Sequence, residues 1–149
     1  MSEPPVQPSA EVPAADPPAE PIPDDAELVR FLAEGEFDTY RGRVIASANA
    51  LKDPALSVDW LGHTCLADGY GRKPKSKAHA VFVAKAARDI EQSVMHKPKR
   101  ENVSHSQIEC PEALRQGGKR RPALAGLLVA AIASTGMREE HVAPPNSPP

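Results

Sequence analysis

Aromatic side chains are scarce in this chain: three Phe, two Tyr and one Trp among 149 residues. So few rings argue against sequence-specific reading of single-stranded nucleic acid, which stacks bases on flat side chains. Cysteine is scarcer still, with Cys65 and Cys110 the only two. Two thiols cannot staple a disulfide scaffold, and in a cytosolic protein they read as plain core residues. The acidic start carries no charged-then-apolar leader, so the expected location is cytoplasmic. The longest apolar run, Ala123 to Ala133, is too short to span a bilayer, which argues against a membrane partner. Also missing are the Gly-x-x-x-x-Gly-Lys-Ser/Thr loop, the Gly-x-Gly-x-x-Gly fingerprint and the Gly-x-Ser-x-Gly elbow. ATP-driven work, classical dehydrogenation and standard serine hydrolysis lose ground accordingly.

Proline, by contrast, is abundant and clustered. Of 17 prolines, eight lie in residues 1–23 and four in residues 144–149. Such ends bury too little apolar surface to offset the entropy of ordering. The expected organisation is a disordered acidic tail over 1–23, one domain over 24–136, and a disordered tail over 137–149. The net charge of −2 conceals an asymmetry: residues 1–38 hold ten acids against Arg30 alone, and residues 72–121 hold thirteen Lys/Arg against five Asp/Glu. A basic half that meets something anionic, screened by the acidic tail, would use this pattern; so would two solvated faces of opposite sign.

Between the tails, periodicity predicts an α+β domain: a mixed or antiparallel sheet with a short N-terminal helix and a C-terminal helix. Asp24-Asp25 followed by Leu28, Phe31 and Leu32, with Gly35 closing, predicts the first helix. Arg43 to Ala48 and Leu56 to Leu61 predict strands, the second alternating Leu56, Val58 and Trp60 against Ser57, Asp59 and Leu61. Asp68 to Lys77 reads as a glycine-punctuated basic loop. His79 to Ala84 predicts a strand, with a turn or two of helix to Ile90. Gln92 to His96 and His105 to Cys110 predict an antiparallel pair. Pro122 opens the last helix, which runs to about Ser134 before Gly136 ends it.

This arrangement resembles a set of small bacterial proteins of unassigned function. The likeness rests on Arg43, Ser47-Ala48-Asn49-Ala50, Leu56-Ser57-Val58-Asp59-Trp60-Leu61, and the apolar strand Ala80 to Ala84 with Arg88 behind it. It ends on His96-Lys97-Pro98 and Asn102-Val103-Ser104-His105-Ser106-Gln107-Ile108. It covers roughly residues 40–133 and implies a standalone domain without a settled activity. The basic Gly/Lys/Pro loop at 69–77 and the Pro-rich tails depart from that pattern.

The segment Met95 to Ile108 concentrates the reactive groups, on a loop between two predicted strands. His96 and His105 are the candidate catalytic pair, since imidazole moves protons near neutrality. Lys97, Lys99 and Arg100, with Asn102, Ser104 and Ser106, are the candidate ligand-binding groups, suited to an anion such as phosphate. The plainer account is that His105 and the serines fix the loop backbone. His63, Cys65, His105 and Cys110 are zinc-ligand types, but their spacing matches no common finger, and no metal or cofactor is expected. Tyr40-Arg41, with Glu109 or Glu112 as a late acid, distantly suggests NAD-linked chemistry; a packed ring beside a surface cation explains the dipeptide as well. Arg72 to Lys77, the Lys97-Lys99-Arg100 group and Lys119-Arg120-Arg121 could together contact a nucleic-acid backbone. The leading expectation is an accessory protein that engages a protein partner or an anionic ligand through the His96–His105 loop. The alternative is a histidine-dependent enzyme acting on a phosphate-bearing or nucleotide substrate, and whether the chain is an enzyme stays open.

Overall fold

Leu28-Val29-Arg30-Phe31-Leu32 is apolar at four positions of five, and its neighbours decide what it becomes. In a computed structural model, which describes residues 16–112 and 120–138, it is the middle of strand β1 (Glu27–Ala33). The predicted N-terminal helix over 24–35 is therefore corrected to a strand. β1 sits inside the sheet with both faces covered, and a strand buried on both sides is apolar without alternation, so it mimics a short helix face. Asp24 and Asp25 form a turn instead of a helix cap, and Gly35, at φ +90°, turns the chain towards β2.

The remaining strands are β2 (Phe37–Tyr40), β3 (Arg43–Ala46), β4 (Ala55–Trp60), β5 (Ser76–Val83), β6 (Ser93–His96), β7 (His105–Glu109) and β8 (Ser134–Met137). Among the described residues the α-helices are α1 (Leu66–Arg72), α2 (Ala84–Arg88) and α3 (Arg120–Ala130). Six strands form one sheet in the order β6-β7-β4-β1-β5-β8, with every pairing antiparallel. β2 and β3 form a separate hairpin around Arg41-Gly42, both at positive φ. The architecture is a small α+β domain. Among the described residues no helix is long and apolar enough to cross a membrane.

One sheet face carries the main core: Leu28, Leu32, Leu56, Val58, Phe82 and Ile108, closed over by Ala87 of α2 and Ala125 and Leu128 of α3. Each large side chain taken out of water there contributes about 2 kcal/mol. The opposite face carries a smaller cluster of Val29, Phe31 and Val81 under Tyr70 of α1. α1 takes the first half of the basic loop expected at 68–77 and β5 its end, leaving a turn at 73–75. Cys65 caps its start by accepting the Asp68 N–H, and Tyr70 is fully buried with its hydroxyl 2.8 Å from His79 Nδ1. Gly69 and Gly71, which read as loop punctuation, lie inside that helix.

Two boundaries also move. α3 starts before Pro122 and stops at Ala130, and it is not the last element, because Ser134–Met137 adds β8 beside β5. Met137 and Arg138, placed in the expected C-terminal tail, belong to the fold: Arg138 donates to the carbonyls of Pro74 and Ser76. Most of both expected tails, 1–15 and 139–149, lies outside the described residues. Asp16–Pro23 is described, and there Ile22 is 5% exposed within the main core.

Gly69 packs so closely on Phe31 that a Cβ at 69 would run into the ring. Phe31 is itself held edge-on against Tyr70, with centroids 4.9 Å apart, and has nowhere to swing. Gly69→Ala is therefore expected to destabilise the fold by about 1–3 kcal/mol despite its better helix propensity. A denaturant midpoint checks this, and an unchanged or raised midpoint contradicts the packing described.

Candidate functional site

β6 and β7 pair as the sequence implied, His96 opposite Ser106 and Val94 opposite Ile108. The loop between them narrows through a bridge of Lys99 and Asn102, whose backbone groups exchange two 3.0 Å hydrogen bonds around Arg100-Glu101. Pro98 is buried at its neck. The loop is thus a tight hairpin end rather than an open coil.

Register separates the two histidines. Cross-strand partners share a face and neighbours along a strand alternate. His96 therefore sits on the face of Ser106, and His105, one residue earlier on β7, sits on the other. The structure does not bring them together as a catalytic pair. His96 is 4% exposed, and both of its ring nitrogens are engaged. The backbone N–H of Glu20 donates to Nδ1 at 3.0 Å, so Nδ1 is an acceptor; Nε2 lies 2.7 Å from the Val103 carbonyl, so it carries the proton. The ring is neutral and fixed in one tautomer. His63 stacks on it nearly parallel, centroids 5.1 Å apart, and Trp60 meets both rings edge-on at 5.1 and 4.4 Å. His105 is half-buried, with Nδ1 at 3.0 Å from the Lys97 carbonyl.

The other face of the loop is held by a residue the sequence reading left as a polar strand position. Asp59 is fully buried, directly across from His105 on β4. Its Oδ1 accepts from Asn102 Nδ2 at 2.9 Å and from Ser104 Oγ at 3.1 Å. Ser104 also contacts the Asn102 side chain through both its hydroxyl and its N–H. Oδ2 has no hydrogen-bond donor among the described residues, and its counter-charge is Lys73 Nζ at 3.7 Å. Burial pulls the Lys73 ammonium below its ordinary 10.5; the Asp59 carboxylate opposes that shift and Arg30 adds to it. Arg72 reaches from the end of α1 to Thr64 Oγ1 at 2.8 Å and Ser104 Oγ at 3.3 Å.

Of the expected ligand-binding groups, Asn102 and Ser104 direct their polar atoms at Asp59, and Ser106 is buried and donates to the Ser104 carbonyl. Lys97 pairs with Glu109 at 2.8 Å. Lys99 and Arg100 are exposed, and among the described residues no carboxylate lies within ion-pair distance of either. Arg72 brings the first basic cluster against this loop; Lys119-Arg120-Arg121 lies outside the described side chains. Arg41 covers the Tyr40 ring at 5.2 Å on the exposed tip of the β2–β3 hairpin. Among the described residues, His63, Cys65, His105 and Cys110 are not gathered into a metal-holding group.

Asp59, Trp60 and Glu20 are the residues that sequence reasoning missed, and Lys73, read there only as part of a basic cluster, is the counter-charge of Asp59. The one available signal was an acid inside the strand pattern Leu-Ser-Val-Asp-Trp, where a solvated position was assumed. A scan against protein-family models finds no match for the chain, and searches of the curated proteins and the solved structures also return none.

Removing one partner of a buried ion pair leaves the other uncompensated. Asp59→Ala is expected to cost about 3–5 kcal/mol of stability. Asp59→Asn keeps the volume but removes the charge that raises Lys73, so Lys73 should titrate lower still, read by NMR at Nζ. A lysine depressed in the folded state binds its proton less than the unfolded chain does. Its contribution to stability therefore rises with pH from its lowered value up to 10.5. In Asp59→Asn that rise should begin at lower pH; a Lys73 titration that moves upward instead would contradict the assignment.

Proposed function

We propose that the chain is a small accessory domain that binds a partner protein, or an anionic group, through the rim of the loop at residues 97–104. One observation carries this reading: the loop is braced from both faces while its tip cations face solvent. Asp59 holds Asn102 and Ser104 on one side, and the neutral His96 ring holds the Val103 carbonyl on the other. A tip fixed in this way loses little conformational entropy when it is bound, which is how preorganisation raises affinity. Lys99 and Arg100, whose side chains form no ion pair among the described residues, supply the charge that an anionic surface would meet. The buried, fully bonded state of His96 and its separation from His105 favour this reading over two-histidine catalysis.

Replacing Lys97, Lys99 and Arg100 together with Ala is expected to weaken capture of the partner from lysate by about tenfold or more and to flatten its salt dependence. His105→Ala should leave that capture unchanged. Binding that is equally tight and equally salt-sensitive in the triple variant would rule out the loop rim as the contact.

A further inference from the structure

Asp16–Pro23, the described stretch of the acid-rich segment, has no regular secondary structure, yet it is seated on the domain at four places. The Asp16 carboxylate accepts the Arg100 N–H at 3.0 Å. The Glu20 N–H donates to His96 Nδ1, and its carboxylate lies 3.2 Å from His63 Nε2. Ile22 enters the main core. Pro17, Pro18, Pro21 and Pro23 surround Glu20, so its N–H is one of few donors on this stretch, and His96 takes it. Prolines also keep such a segment extended before it docks, which lowers the ordering cost.

We propose that this seat is a recognition site for an extended acidic segment of a partner protein, with Asp16–Ile22 as its resident stand-in. The proposal rests on the partner-binding reading above and specifies what the partner presents. The segment carries a carboxylate, then four residues later a second carboxylate on a residue with a free N–H, then an aliphatic side chain two residues on. The seat reads those features in order through the Arg100 N–H, the His63–His96 stack and the opening that Ile22 fills. Pro is tolerated on either side of the second acid but not at it.

Two further observations separate a stand-in from a permanent part of the fold. A shallow depression open to solvent, about 470 Å³, runs along Ala19–Ile22 beside Arg88, Val94 and Met95, so one side of the docked segment is accessible. The Glu20–His63 pair is also solvent-facing, with side chains 55% and 26% exposed, and exposed pairs hold weakly. Its tether to β1 adds to these contacts. A short linker gives it an effective concentration in the millimolar range, so a free peptide competes poorly until the resident is weakened.

Trp60 is the only tryptophan of the chain and touches both histidine rings, so its fluorescence reports the seat. In the full chain, Glu20→Pro deletes the N–H that His96 accepts and frees the seat. The probe is a synthetic peptide copying residues 14–24, titrated at constant pH. It is expected to bind the Glu20→Pro chain at least about tenfold more tightly than wild type. The same peptide carrying Pro at position 20 should bind neither. Should Glu20→Pro fail to fold, Asp16→Asn with Glu20→Gln weakens the two carboxylate contacts while keeping Ile22, and a smaller gain is expected. Equal affinity for wild type and variant, or equal binding of the Pro-bearing peptide, overturns the proposal. So does a wild-type dimer that Glu20→Pro converts to monomer, because a second copy's segment would then be the occupant. In the Lys97, Lys99 and Arg100 triple variant the backbone N–H of residue 100 remains. Peptide binding that survives there while partner capture is unaffected sinks the rim reading alone; lost peptide selectivity with intact salt-dependent capture sinks the seat alone.

Discussion

A single buried carboxylate joins three parts of this domain. Asp59 lies on β4 near the middle of the sheet, and its two oxygens meet the β6–β7 loop through Asn102 and Ser104 and the end of α1 through Lys73. A charge out of water is tolerated only if opposite charge and hydrogen-bond donors surround it. That requirement fixes where the loop and α1 can sit relative to β4. Lys73 meets it at some cost to itself, since burial works against its own proton. The ammonium also lies over the Phe31 ring at 5.6 Å, so the same residue covers apolar surface while it neutralises Asp59.

The opposite face of the loop is organised by shape and tautomer rather than by charge. Trp60, His63 and His96 form a stacked and edge-on trio, and the N-terminal segment lies over it. The loop therefore stands between an ionic clamp and an aromatic one. Its tip cations project from a frame that neither clamp leaves free to move, which is the property a recognition surface needs. The acid-rich segment that looks like a bare tail in the sequence supplies part of that frame.

How much of this was legible in the sequence follows from the range of each signal. The alternation in Leu56 to Trp60 is local, and β4 forms where it predicts; the β6–β7 pair likewise follows from its two alternating runs. β1 was misread because a strand covered on both faces has no alternation to show. α1 was misread because Gly69 serves a close contact with Phe31, 38 positions earlier in the numbering, and nothing near Gly69 announces that contact. The loop was found, but the roles of its residues were not. Which face His96 or His105 takes depends on register with β7 and β4, and the Asp59–Asn102 bond spans 43 positions. β8 escaped notice because Ser-Thr-Gly-Met has little strand character and owes its place to β5 beside it.

The position of β6 at the end of the sheet has a consequence for the chain's behaviour in solution. Among the described residues β6 pairs only with β7 and its outer backbone faces no further strand, and Met95 is exposed beside it. An uncovered edge of this kind invites pairing with other chains and aggregation. The Ala19–Ile22 stretch borders that edge, with its prolines poor templates for an added strand. Whatever draws the segment away also removes a guard, so the open form is safe from self-association only while something else occupies its place.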